Sequence, residues 1–385
     1  MKRYEPIRKY IHLTDNRNSD LSVTNLVGLT IEKRYIPSVA NVIGTDLSKY
    51  KVIKQGQFAC SLMQVSRDGK MPVAMYNGEP SIMSPAYPIF EVNDENELMP
   101  EYLHMYLSRP EFDREAVFRA VGGVRGSLDW EDFLDMKMPI PSIEEQRKIV
   151  AEYQAVEQRI ENNNRLIKAL EDTAQAIYHH TFGNHINPDV VKKDWQVVKL
   201  ASCCIFNTDN ITSKDKYTEI RYLDTSSVNC NVFDNYQLLK VGIDEIPSRA
   251  KRKVKFNDII YSTVRPNLKH YGIIKGDINN VIVSTGFAVI RSNNPKISNE
   301  LIYMILTARK SVDYFNGIAE MSTTTYPSIN IEDIEDLKIA IPNVLDAKIE
   351  KLNKDLIDIF KTIYIINQEN TKLLLLINIL LSKLS

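Results

Sequence analysis

The stretch Glu131-Asp132-Phe133-Leu134-Asp135-Met136-Lys137-Met138-Pro139-Ile140-Pro141 is written a second time, 201 residues later, as Glu332-Asp333-Ile334-Glu335-Asp336-Leu337-Lys338-Ile339-Ala340-Ile341-Pro342. Six positions are identical, and most of the others exchange one apolar residue for another. The same offset of 201 pairs Gln55–Ser61 with Phe256–Ser262. An offset of 200 pairs Ser84–Phe90 with Ser284–Ile290, and one of 199 pairs Tyr102–Ser108 with Leu301–Thr307. Four matches in one order, drifting by only two, are what a duplication leaves behind. The 385-residue chain is two copies of one unit of about 200 residues. A single duplication is too short for a solenoid, so the expectation is a pseudo-twofold molecule.

Outward from the repeated motif, each unit divides into a globular and a helical part. The globular parts are residues 1–141 and 183–342. Both hold short β-branched and aromatic runs, such as Ile259–Val264 and Val281–Ser284, which read as strands. Glu101–Leu107 and Asn299–Thr307 read as short helices. A mixed α/β domain dominated by a curved sheet is expected in each half.

The helical parts are residues 142–182 and 343–385. Ser142 followed by Glu145 has capping-box spacing, and no Pro or Gly occurs from there to Phe182. Ile149, Tyr153, Val156, Ile160, Asn163, Ile167, Leu170, Ala174 and Ile177 recur in alternating steps of three and four. Ile349, Leu352, Leu356, Ile359, Ile363, Ile366, Asn370, Leu373, Ile377, Leu380 and Leu384 do the same. These are heptad seams. Each buried Leu or Ile is worth roughly 1.5–3 kcal/mol, so the two seams should cover each other. A twofold axis perpendicular to the helices would make the pairing antiparallel. The expected fold class is therefore α+β: two mixed α/β domains related by pseudo-twofold symmetry and separated by a two-helix antiparallel coiled coil.

The composition narrows the function. Net charge is −1, so any nucleic-acid surface must be local. The four cysteines form no C-x-x-C pair, which argues against a zinc site and for reduced, buried thiols in a cytoplasmic setting. The longest apolar run, Leu373–Leu381, is about half of the ~20 residues a membrane span needs. There is no phosphate loop and no H-E-x-x-H. Gly122–Gly126 has the wrong spacing for a dinucleotide fingerprint. Asp135-x-Lys137 and Asp336-x-Lys338 have nuclease-like spacing but read as strand edges. With no catalytic cluster, a recognition subunit fits better than an enzyme. A self-contained methyltransferase or nuclease with unfamiliar motifs, and a non-catalytic assembly scaffold, are the alternatives.

Candidate DNA contacts fall on loops. Arg249, Lys251, Arg252 and Lys253 belong to a basic run expected at a loop or strand edge, where cations attract phosphates. Arg265, Asn267 and Lys269 follow the next strand. At the matching place in the first unit, Gln64, Arg67 and Lys70 surround an Asp-Gly turn signal, suggesting a hairpin tip able to enter a major groove. A second pair of matching loops holds Arg125 and Ser127 in one unit and Thr323 and Thr324 in the other. Asn163 and Asn370 interrupt the seams; they read as paired core residues that fix register, or as subunit contacts.

Ile140-Pro141-Ser142-Ile143-Glu144-Glu145-Gln146-Arg147-Lys148-Ile149-Val150, with Asp194–Leu200 and Tyr261–Pro266, resembles the specificity subunit of type I restriction-modification systems over essentially the whole chain. That resemblance implies target-recognition domains at 1–141 and 183–342, each reading half of a split sequence in double-stranded DNA, with spacer helices at 142–182 and 343–385. It also implies two modification subunits that methylate adenine N6, docking near Glu145, Gln146, Asn163 and Asn370. Restriction subunits would add ATP-driven translocation and cleavage. Cofactors (S-adenosylmethionine, ATP and Mg) would lie in those partners, and none in this chain. The second helix lacks the Glu-Gln pair, which places its partner contact in question.

Overall fold

The computed structural model describes residues 4–38, 44–182, 194–233, 236–321, 326–344 and 347–384. It contains two compact units, residues 1–162 with 371–385, and residues 163–370. The division falls within both long helices, Ile143–Phe182 and Ala347–Ser382.

In the first unit an antiparallel sheet has the strand order Ile11–Thr14, Ile89–Val92, Phe58–Cys60, Val73–Met75. The second unit repeats that order with Cys204–Phe206, Phe287–Ser292, Ile259–Ser262, Tyr271–Ile273. Even the register is kept: Phe58 faces Phe90 and Ala59 faces Ile89, while Ile259 faces Ile290 and Ile260 faces Val289. The repeated motif forms a short helix and a strand in both places, Trp130–Leu134 with Lys137–Pro139 and Ile331–Glu335 with Lys338–Pro342. Each strand pairs antiparallel with an early strand of its globular part, Tyr4–Pro6 or Trp195–Lys199. The motif thus clasps the end of each globular part to its beginning.

One expectation is refined. A single curved sheet does not dominate; a second layer of strands stacks on the first. In the second unit it is a four-stranded sheet, ordered Gln237–Lys240, Glu219–Leu223, Val281–Ser284, Ala250–Lys253. The reason lies in a run that does not alternate. Ile259 and Tyr261 enter one apolar cluster and Ile260 enters another, so both faces of the strand are covered. Phe58 and Cys60 against Ala59 do the same in the first unit.

Within each unit the helix segments pair antiparallel. Val150 and Tyr153 share a core with Leu381 and Leu384 in the first. In the second, Ala174, Tyr178 and Phe182 share a core with Ile349, Leu352 and Leu356. All nine positions of the first seam are buried or half-buried, as are the eleven of the second. Ser142 Oγ accepts from Glu145 N–H at 3.3 Å, as a capping residue should. No helix among the described residues is long and apolar enough to cross a membrane.

Candidate nucleic-acid interface

The connection between Phe58–Cys60 and Val73–Met75 is not the tight turn that Asp68-Gly69 suggested. It contains one helical turn, Val65–Asp68, entered through Gln64 at φ 62° and left through Gly69 at φ 69°. Val65 is fully buried and draws the loop inward, while Gln64, Arg67 and Lys70 stay exposed. Arg67 is tied to Asp68 at 2.7 Å. The corresponding connection in the second unit has the same form. Arg265 at φ 47° opens a single turn, Pro266–Leu268, and Lys269 at φ 58° closes it. Pro266 is buried there; Arg265, Asn267 and Lys269 are exposed. A left-handed residue other than glycine costs on the order of 1 kcal/mol, and such residues gather at functional loops.

The structure brings the two nominated loops of each unit together. In the first, Leu128 N–H donates to Leu62 O at 2.9 Å and Ser66 Oγ reaches Gly126 O at 3.4 Å. Gly126 has φ 72°, a conformation that favours glycine, and a Cβ there would lie 2.2 Å from Ser66 Oγ and displace that hydroxyl. Arg125 is itself left-handed, at φ 59°, and exposed beside the half-buried Ser127. In the second unit, Arg265 N–H donates to Pro327 O at 2.8 Å and Ile329 N–H to Thr263 O at 2.9 Å. The Arg265 guanidinium lies 4.9 Å from the centre of the Tyr326 ring. Thr323 and Thr324 lie outside the described residues.

The basic run is partly spent internally. Ala250–Lys253 forms an edge strand. Arg252 is half-buried and donates to Asn207 Oδ1 and Phe287 O; burial lowers its pKa. Lys253 pairs with Asp215 at 2.6 Å and with Asp209 at 3.5 Å. The hydrogen bond from Lys253 holds the Asp215 carboxyl down at about 2. Arg249 and Lys251 remain exposed.

The helix positions separate as well. Glu145 is exposed. Gln146 is fully buried, accepting from Met99 N–H at 2.9 Å and donating to Glu97 O and Pro141 O. Asn163 donates to Asn370 Oδ1 at 2.8 Å, and Asn370 donates to Asn164 Oδ1 at 2.9 Å. Asn353 was not singled out by sequence. It accepts from Ser298 N–H and donates to Lys296 O, both at 2.9 Å. Met99 and Ser298 each cap a corresponding helix, Pro100–Leu107 and Asn299–Thr307. Asn353 therefore does in the second unit what Gln146 does in the first. The spacing of 207 shared by Gln146/Asn353 and Asn163/Asn370 was the available signal.

Exposed apolar side chains flank the loops: Met63, Phe118 and Val121 in the first unit, and Leu268, Met321 and Tyr326 in the second. Loop apolar groups of this kind suit thymine methyls or base faces, and residue-by-residue charge reading passed over them. Among the described residues no cluster of three or more His, Cys, Asp or Glu could hold a metal ion.

A doubled frame carrying paired, exposed, cation-bearing loops defines a two-part recognition protein. The family model for the type I restriction modification DNA specificity domain matches residues 45–172 and again 192–375, and the chain belongs to that family. It is 31% identical over 127 residues to the type I restriction enzyme HindI specificity subunit of Haemophilus influenzae, covering 33% of this chain and 27% of that one. It is 24% identical over 336 residues to the putative type I restriction enzyme MjaX specificity subunit of Methanocaldococcus jannaschii, covering 80% of this chain and 73% of that one. The fold resembles the crystal structure of the type I restriction-modification system S subunit from M. genitalium, with a TM-score of 0.59 at 14% identity, over 100% of this chain and 96% of the other.

Proposed function

We propose that this chain is the DNA-reading subunit of a type I restriction-modification complex acting in the cytoplasm. Each unit reads one half of a bipartite double-stranded target, and the paired helices set the unread gap. The observation that carries this is the same two-loop platform built twice, with left-handed Gln64 and Arg125 in one unit and left-handed Arg265 and Lys269 in the other. Arginine reads guanine and glutamine reads adenine in the major groove. Exposed Lys70, Arg249, Lys251 and Lys269 hold phosphates, which position without specifying.

The chain supplies recognition and no chemistry of its own. Two modification subunits carry S-adenosylmethionine and receive the flipped adenine, and restriction subunits carry ATP and Mg. Exposed Glu145 is available to a modification subunit. Gln146 supports that contact from inside, and the Asn163–Asn370 pair keeps the helices in register.

The test inserts one heptad into both helices of a chain co-expressed with its modification partner, followed by adenine-methylation mapping. One heptad adds roughly 10 Å of helix, so the gap should widen by about three base pairs at about 3.4 Å each, with both half-motifs unchanged. An unaltered gap, or methylation by the purified chain alone, sinks the reading.

A further inference from the structure

The second unit contains a cleft lined chiefly by side chains from the central helix, a loop and the start of a later helix, with Tyr271 and Thr307 beside them. Gln175, Tyr178 and His179 come from the central helix, Asn267 and Lys269 from the hairpin loop, and Arg309 and Lys310 from the start of the helix Arg309–Glu320. Ala308 precedes that twelve-residue helix, and no side chain caps it. Ser311 N–H is taken by Ala308 O at 2.9 Å, which leaves the N–H groups of Arg309 and Lys310 and the positive end of the dipole open to an anion. Lys269, Arg309 and Lys310 are exposed and add three positive charges. Asp313 also lines the cleft and pairs loosely with Arg309 at 3.7 Å, so the cations remain in excess. A second, independent feature concerns Tyr178. It is 1% exposed, stacks on Phe182 and lines the cleft, yet its hydroxyl has no hydrogen-bond partner. A buried hydroxyl left unpaired costs about 1–3 kcal/mol, which a bound acceptor would recover.

We propose that this cleft seats one phosphodiester of the target DNA backbone, held by Lys269, Lys310 and the helix N-terminus, and so fixes the register of the Arg265–Lys269 loop on the duplex. The proposal rests on the DNA-reading function above and adds a site to it. A phosphate contact reads no sequence. Its loss should therefore weaken target and non-target duplexes in the same proportion and flatten the salt dependence.

The experiment measures binding of the full chain, alone and with its modification partner, to a target duplex and to one mismatched in the second half-site, at 50 to 200 mM KCl. K269Q with K310Q changes exposed residues only and should leave folding intact. It should weaken both duplexes about tenfold and reduce the slope of log affinity against log salt by about one, since each neutralised phosphate contributes roughly 0.9. Tyr178→Phe keeps the ring and should weaken both duplexes a few-fold with the slope unchanged. Lys214→Gln, at an exposed position outside the cleft, is the charge control and should change neither. An unchanged slope in K269Q/K310Q, with the native chain binding normally, overturns the phosphate seat and leaves the reading function standing. Weakening confined to the target duplex would make Lys269 a base reader and also overturn it. Loss of assembly with the modification partner at unchanged DNA affinity would make the cleft a protein seat. No affinity of the native chain for either duplex would remove the reading function itself.

Discussion

The helix that follows Pro100–Leu107 in the first unit, Pro110–Arg119, and the one that follows Asn299–Thr307 in the second, Arg309–Glu320, begin differently. In the first, Arg109 stands before Pro110, buried, its guanidinium 4.6 Å from the centre of the Tyr106 ring and its Nε and Nη1 without hydrogen-bond partners. In the second, the corresponding residue is Ala308, and the helix start opens onto a cationic cleft. One unit fills the place with its own cation; the other leaves it free. The buried scaffolding behaves oppositely. Gln146 and Asn353 differ in length and in distance along the chain, yet both bind the backbone at the head of the corresponding helix. Duplicated units hold constant whatever satisfies buried backbone groups, because an unmade buried hydrogen bond is expensive. They diverge where solvent or a ligand can supply the partner.

Breaking the constant part should have the largest effect. Gln146→Ala removes three hydrogen bonds from a fully buried site, and Asn353→Ala removes two. Leaving such groups unpaired costs about 1–3 kcal/mol each, less what entering water recovers. We expect about 3 kcal/mol for Gln146→Ala and about 2 kcal/mol for Asn353→Ala, read as shifts of the urea midpoint at constant slope. A loss below 0.5 kcal/mol for either, within the usual range of a surface change, would mean that the two residues are not equivalent supports.

The divergent part should show smaller effects confined to one half-site. Arg265→Ala removes an exposed arginine held over Tyr326; Arg125→Ala removes the left-handed arginine beside Gly126. Each should cost about 2 kcal/mol of discrimination, the usual worth of one bidentate base contact. Each should relax one half of the methylated motif and leave the other intact. Methylation maps of the two variants are sufficient to decide. Relaxation of both halves by a single substitution would contradict independent reading.

Much of this architecture was legible in the sequence for a physical reason. Burial leaves periodic traces, and Ile149 through Ile177 with Ile349 through Leu384 carry theirs with only Asn163 and Asn370 as polar members. The repeated Glu-Asp motif was legible because both copies do the same mechanical work, clasping a first strand. The second strand layer was not, because Ile259-Ile260-Tyr261 is apolar on both faces and a continuous run does not say what covers each side. The helical turn after Gln64 was hidden by the Asp-Gly turn signal, which the buried Val65 side chain overrides. Asn353 was missed because the offset grows from 201 to 207 between the repeated strand and the helix. The loss of Arg252 and Lys253 to internal pairs was invisible because Asn207, Asp209 and Asp215 lie some forty residues away.

The smallest expected effect concerns the asparagines of the seam. Asn163 and Asn370 are 3% and 9% exposed and bonded to one another, with Asn164 and Glu369 as further partners. Replacing one by leucine deprives the other of its partner across the seam, and Asn163→Leu alone should cost about 1 kcal/mol or somewhat more. Replacing both restores a uniform apolar seam, so the double variant should return to native stability or exceed it, giving a coupling of about 2 kcal/mol in a double-mutant cycle. Stability is then the wrong measure of what the pair contributes. An all-apolar seam can slide by a heptad at little cost, whereas a single matched polar pair penalises every other alignment. The double leucine variant should therefore be as stable as the native chain and yet methylate targets of more than one gap length. A single gap length in that variant would show that the globular parts alone hold the helices in register, and would leave the asparagine pair without a function in spacing.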